Sequence, residues 1–222
     1  MKIQFVSLLA IVLACTGGNP SKDTNIIAFE EFISSFKTSP VPLILDREIV
    51  FKLSKTIYNN EKRIYTASPY NEMTEVYRIF LPEQIAKNQE ISEFRCLYVL
   101  PKKNNIIPVI IAKDFLQERE QNTLQLFFIT YTQQGKIIDY AEVGGYYLDI
   151  SETFAEISSD YDITIRKYNF KKPPDNNFPR LFYMLETQTI CKLNNVGKIL
   201  KMSEYSKEGY FEGNGKSYSL KK

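Results

Sequence analysis

Apolar residues change their period along this chain, and each period predicts a different element. Ile26, Phe29, Phe32, Ile33 and Phe36 recur at spacings of three and four, the signature of a helix with one buried face. Asp23 or Thr24 is placed to cap this helix, and Pro40 and Pro42 end it. Residues 43 to 80 are mixed: Leu43-Ile44-Leu45 and Ile49-Val50-Phe51 read as buried, and Asn59-Asn60-Glu61-Lys62 as an exposed turn. Pro82 in a first-turn position predicts a short helix from Pro82 to Asn88.

From Arg95 the texture becomes strand-like. Arg95–Leu100 and Ile106–Ala112 flank the turn-rich Pro101-Lys102-Lys103-Asn104-Asn105 and predict a hairpin. Thr123–Thr132 is apolar in both alternating sets. Leu124, Leu126 and Phe128 form one set and Phe127, Ile129 and Tyr131 the other, as expected of a central strand covered on both faces. Gln133-Gln134-Gly135 turns it into Lys136–Val143, and Gly144-Gly145 predicts a bulge or kink before Tyr146-Tyr147. Asp162–Arg166 alternates cleanly. After the loop Lys171–Asn177 the end reads as a meander: Arg180–Leu193, a turn at Asn194–Gly197, Lys198–Tyr205, a turn at Lys207-Glu208-Gly209, and a last strand near Lys216–Leu220. Short connections favour antiparallel pairing. The expected fold is α+β and mainly β: a curved antiparallel sheet or open barrel of about seven to nine strands, with an N-terminal helix and one further short helix.

The first residues carry a different message. Lys2 precedes an apolar run from Ile3 to Leu13, which would reach roughly 16 Å as a helix, too short to span a bilayer. It reads as a cleaved secretory signal. Val12-Leu13-Ala14-Cys15 resembles the lipobox of bacterial lipoproteins. That resemblance implies cleavage before Cys15, diacylglycerol on its thiol and an acyl chain on the new amino group. It divides the chain into a signal peptide (1–14), a lipidated tether (15–25) and one mainly-β domain (26–222). Thr16, where an aspartate would retain an enterobacterial lipoprotein in the inner membrane, points to the outer membrane. The expected location is therefore the cell envelope, with the membrane as partner through the lipid. Within the body, Tyr131, Gly135-Lys136-Ile137-Ile138-Asp139 and Asp162-Ile163-Thr164-Ile165 resemble a group of small bacterial envelope lipoproteins. The shared motif is structural and implies no activity.

Composition narrows the chemistry. Twenty-eight basic residues against 26 acidic ones give no basic field for nucleic acid. Histidine is absent, which excludes Ser-His-Asp and Cys-His catalysis and histidine-built zinc sites. No cofactor or metal is expected. With Cys15 acylated, Cys96 and Cys191 remain, either as two small buried hydrophobes or as a disulfide. A bridge would close a long loop and stabilise by roughly 4–5 kcal/mol.

Carboxylates are the acid–base groups left, and Asp139, Glu142, Asp149, Asp160 and Asp162 gather in sequence around the Gly144-Gly145 bend. Two of them converging in a cleft would suit glycoside hydrolysis. Tyr140, Tyr146, Tyr147, Tyr161 and Tyr168 surround the same bend, and tyrosine suits recognition of proteins or glycans. The body carries no catalytic motif, so the expected function is binding without catalysis. A protein or glycan is the expected partner, and an inhibitor or immunity protein is one concrete form. A carboxylate-dependent glycan hydrolase and a carrier of an apolar ligand in a β-barrel are the alternatives.

Overall fold

The computed structural model describes residues 22–53, 56–59, 62–65, 70–87, 92–115, 123–147, 150–173, 181–213 and 217–221. The signal sequence, Cys15 and the tether up to Ser21 lie outside these residues, as does Asp149.

Helix α1 (Lys22–Ser34) carries the predicted phenylalanine face and starts slightly before the expected caps. Strands β1 (Lys37–Thr38) and β2 (Leu43–Leu45) follow, then helix α2 (Arg47–Leu53), which periodicity did not reveal. A separate hairpin comprises β3 (Thr56–Asn59) and β4 (Lys62–Tyr65). After β5 (Asn71–Glu72) come a 3-10 helix, Glu75–Phe80, and the short helix predicted behind Pro82, α3 (Glu83–Ala86).

The rest is a meander in which each strand pairs with the next. Its strands are β6 (Ser92–Val99), β7 (Ile106–Phe115), β8 (Thr123–Thr132), β9 (Ile137–Tyr147), β10 (Ser151–Ile157), β11 (Asp162–Phe170), β12 (Phe182–Leu193), β13 (Ile199–Gly213) and β14 (Tyr218–Leu220). β1 and β5 join β6, and β2 joins β10, completing a 12-stranded sheet. The fold is thus α+β and mainly antiparallel β, and the sheet does not close into a barrel. β11 and β12, which precede and follow the Lys171–Asn177 stretch in sequence, pair with each other in one sheet.

Burial explains the layering. On β8, Leu124, Leu126 and Phe128 enter one apolar cluster and Phe127, Ile129 and Tyr131 another, matching the two alternating sets. The second cluster lies under the helices, where Phe29 and Phe32 of α1 and Phe36 just beyond its end meet Phe80, Leu81 and Ile85. The first fills the concave side between β6–β9 and the later strands, with Val50 and Leu53 of α2.

The concavity originates at the two glycines. Val143 is an extra residue opposite the Leu126/Phe127 step, so the bulge forms where it was expected. β9 pairs with β10 only through Gly145–Tyr147, and β2 takes over the edge of β10 at Ala155–Ile157. The sheet therefore forks at Gly145. This glycine has φ 145°, and a Cβ there would sit 2.2 Å from the Leu124 carbonyl oxygen. Gly145→Ala is expected to cost ~1–3 kcal/mol through backbone strain. Urea unfolding would check this, and an unchanged midpoint would contradict it.

One expectation needs correction. β13 runs without interruption through Lys207-Glu208-Gly209, where a turn was expected. Cross-strand pairing with β12 from Phe182 to Leu193 keeps those three residues extended. Of the two alternatives for Cys96 and Cys191, the structure has the buried hydrophobes: both are free thiols. Cys96 belongs to the cluster under the helices and Cys191 to the cluster on the concave side, so the sheet separates them. Burial pushes the Cys96 thiol up to about 12, which fits a packing role.

Candidate functional site

The five tyrosines around the bend form part of the core and its rim, which corrects the expectation of a shared recognition patch. Tyr146 is buried and stacks on Phe51 at 4.7 Å with 8° between the rings. Tyr161 is buried with a φ of 64°, and its hydroxyl donates to the Pro101 carbonyl. Tyr168 is buried among Phe154, Phe211 and Tyr218. Tyr140 and Tyr147 are half-buried, and Tyr140 packs against the cluster under the helices. Burial pushes the Tyr161 and Tyr147 hydroxyls up to about 12, with Glu142 adding to the effect at Tyr147.

Among the described residues the acids near the bend do not converge either. Asp139 accepts from the backbone amides of Tyr140 at 3.0 Å and Ile199 at 3.0 Å, which ties β9 to the start of β13. Asp162 pairs with Lys192 at 3.3 Å, and Asp160 is exposed in a turn. Glu142 accepts from Gln125 Nε2 at 3.1 Å. Burial raises its carboxyl above the ordinary 4.5, against the lowering pull of Lys167 and of the Gln125 hydrogen bond.

The sign of that shift gives a prediction. A carboxyl with a raised folded pKa penalises the native state wherever it is ionised, and the penalty disappears as falling pH protonates it. Glu142→Gln keeps an oxygen acceptor for Gln125. It is expected to raise the melting temperature at about pH 7 and leave it unchanged at about pH 3. Equal effects at both pH values would show that Glu142 acts through packing.

The structure brings together carboxylates that the sequence reading missed. Glu152, Tyr168, Glu186 and Lys207 stand opposite one another across β10, β11, β12 and β13. Arg47 of α2 reaches Glu152 through Nε at 2.9 Å and Nη2 at 3.2 Å, and the Tyr218 hydroxyl donates to the same carboxylate at 2.9 Å. Glu186 accepts from the Tyr168 hydroxyl at 3.2 Å and pairs with Lys207 at 2.7 Å. Proton donors from four elements surround these two acids, which suits joining strands more than cycling protons. Neither carries a local signal: Glu152 stands between Ser151 and Thr153, and Glu186 between Leu185 and Thr187. Among the described residues no group of three or more acids and cysteines is placed to hold a metal ion.

The β12–β13 ribbon presents exposed apolar side chains along an edge strand. Along β13, Leu200 is 47 %, Met202 61 % and Tyr205 48 % exposed. β13 pairs with β14 only at Phe211–Gly213, so residues 200 to 209 form an edge without a strand partner among the described residues. Lys221 N donates to the Tyr210 carbonyl on the β14 side. Strand alternation then directs the backbone groups of Glu208, Ser206 and Glu204 toward the same, open side. Met202 is an extra residue in the β12–β13 ladder, and Lys201 and Lys207 flank the exposed stretch. A bulge and lysines are devices that limit promiscuous edge pairing while leaving the strand accessible.

Compared with protein families, with curated proteins and with solved structures, the chain matches none. No helix among the described residues is long and apolar enough to cross a membrane.

Proposed function

We propose that this protein is a lipid-anchored component of the cell envelope, held at the outer membrane through Cys15, that binds another macromolecule and performs no catalysis. An inhibitor or immunity protein acting on a toxin or lytic enzyme is the concrete form that fits best. The open β13 edge carries the reading: it offers backbone groups without a strand partner among the described residues beside Leu200, Met202 and Tyr205, the components of recognition by strand addition. The hydrolase reading gains no comparable support, because Asp139, Glu142 and Asp162 are each engaged with a different partner.

Two measurements test it. Cys15→Ala is expected to abolish acyl labelling and release the protein from the membrane fraction; retention with unchanged labelling would refute the anchor. Photo-crosslinking groups at Met202 and Tyr205, in cells, are expected to give a discrete adduct that the same group at Val76, on the 3-10 helix, does not. Equal adducts at all three positions, or none at β13, would refute the β13 interface.

A further inference from the structure

Three hairpin tips that are far apart in sequence meet at one end of the sheet. Asn104 and Asn105 form the tip between β6 and β7, closed by a bridge between Lys103 and Ile106. Gln133 and Gln134 sit between β8 and β9, where Gly135 N donates to the Thr132 carbonyl at 3.1 Å. Asn195 lies between β12 and β13, in a turn held by Asn194 Oδ1, which accepts from Val196 N at 3.0 Å and Lys198 N at 2.8 Å.

The third tip arrives because the sheet curls, and it is fastened there. Thr130 Oγ1 donates to the Gly197 carbonyl at 2.8 Å, and Lys198 Nζ to the Ile138 carbonyl at 2.9 Å. Gly197 makes the approach possible: with φ 86°, its missing Cβ would fall 2.6 Å from Ile138 Cδ1. The three tips enclose a cleft of about 310 Å³.

Five of its walls are carboxamides: Asn104, Asn105, Gln133, Gln134 and Asn195. Gln133 Nε2 donates to Asn105 Oδ1 at 3.1 Å, which fixes one pair. The side-chain amides of Asn104, Gln134 and Asn195 make no hydrogen bond to described residues. Turn geometry accounts for Asn104, whose φ is 55°, but makes no such demand for Gln133 or Gln134. No lining side chain carries a charge, and Ile106, Ile138 and Val196 supply aliphatic surface.

That combination selects a chemistry. Each carboxamide presents a donor and an acceptor side by side, the complement of adjacent hydroxyls, which also donate and accept. Aliphatic side chains suit the C–H face of a pyranose ring. Phosphates, carboxylates and ammonium groups would meet no countercharge in the lining. The volume is at the small end of the range for ligand sites and suits one or two sugar units. We propose that this cleft binds a neutral saccharide. The proposal is independent of the β13 edge and stands or falls separately from it.

The test is saturation-transfer NMR on the full-length protein with neutral trisaccharides (chitotriose, maltotriose) and triglycine, each at roughly 10 mM, ten times a ~1 mM dissociation constant. A neutral trisaccharide is expected to receive saturation and triglycine none. The exposed, hydrogen-bond-free amides allow a double variant, Gln134→Ala with Asn195→Ala, expected to keep the wild-type melting temperature and weaken saccharide binding at least tenfold. Absence of transfer to both sugars, transfer that survives in the double variant, or transfer to triglycine alone would each overturn the proposal. If the double variant does not fold, Gln134→Glu, which places an anion in the cleft, is expected to give the same loss; undiminished transfer would overturn it equally.

Discussion

Asp114→Ala is expected to destabilise the fold by about 3–5 kcal/mol, the range for breaking one partner of a buried ion pair. Arg95 on β6 is 1 % exposed, and its guanidinium makes a two-point contact with Asp114 on β7, Nε to Oδ2 at 2.7 Å and Nη2 to Oδ1 at 2.9 Å. Nη2 also donates to the Leu53 carbonyl at 2.6 Å, the last residue of α2. One arginine thus joins two strands and a helix end. Removing its carboxylate leaves a buried cation without its anion, a larger penalty than the loss of an exposed pair such as Lys52–Glu48 at 2.6 Å. The double replacement Arg95→Met with Asp114→Leu removes both charges and is expected to recover most of the loss. Urea unfolding measures both variants. A loss below ~1 kcal/mol for Asp114→Ala would contradict the burial of this pair.

Phe32→Ala is expected to cost about 3–5 kcal/mol, through lost transfer energy and the cavity left behind. Phe32 is fully buried and stacks on Phe80 at 5.0 Å, with Phe36 at 5.0 Å and Tyr77 at 5.7 Å around it. Tyr131 lies 6.0 Å away and cannot move in to fill the void easily, because its hydroxyl donates to the Phe80 carbonyl at 2.7 Å. Phe51 provides the contrast. It stacks just as closely on Tyr146 but is 38 % exposed, so Phe51→Ala is expected to cost less than half as much. Equal losses for the two variants would mean that α1 does not seal the cluster beneath it.

What could be read locally was read correctly. The α1 face, the β8 strand with its two apolar sets, the β6–β7 hairpin and the bulge beside Gly144-Gly145 each depend on residues a few positions apart. Periodicity of side-chain direction and turn chemistry are short-range properties, so the local order of residues reports them. The lost turn at Lys207-Glu208-Gly209 marks the limit. Its local preference is real, yet pairing with β12 on one side outweighs it.

The acids and tyrosines show the same limit from the site's side. Glu152 and Glu186 stand on either side of Tyr168 only because three strands align in that register, and Arg47 arrives from a helix about a hundred positions earlier in the chain. Tyr161 and Tyr168 read as recognition residues in one dimension and are interior once the sheet curls.

The chain by itself determined the helix α1, the β6–β7 hairpin and the strand β8 with both faces covered, and it excluded histidine chemistry. The tertiary structure decided which charges are buried, which thiols stay apart, which edge remains open and which hairpin tips meet. Those outcomes depend on strand register and on the fork at Gly145, contacts between residues far apart in sequence whose energies no local window contains.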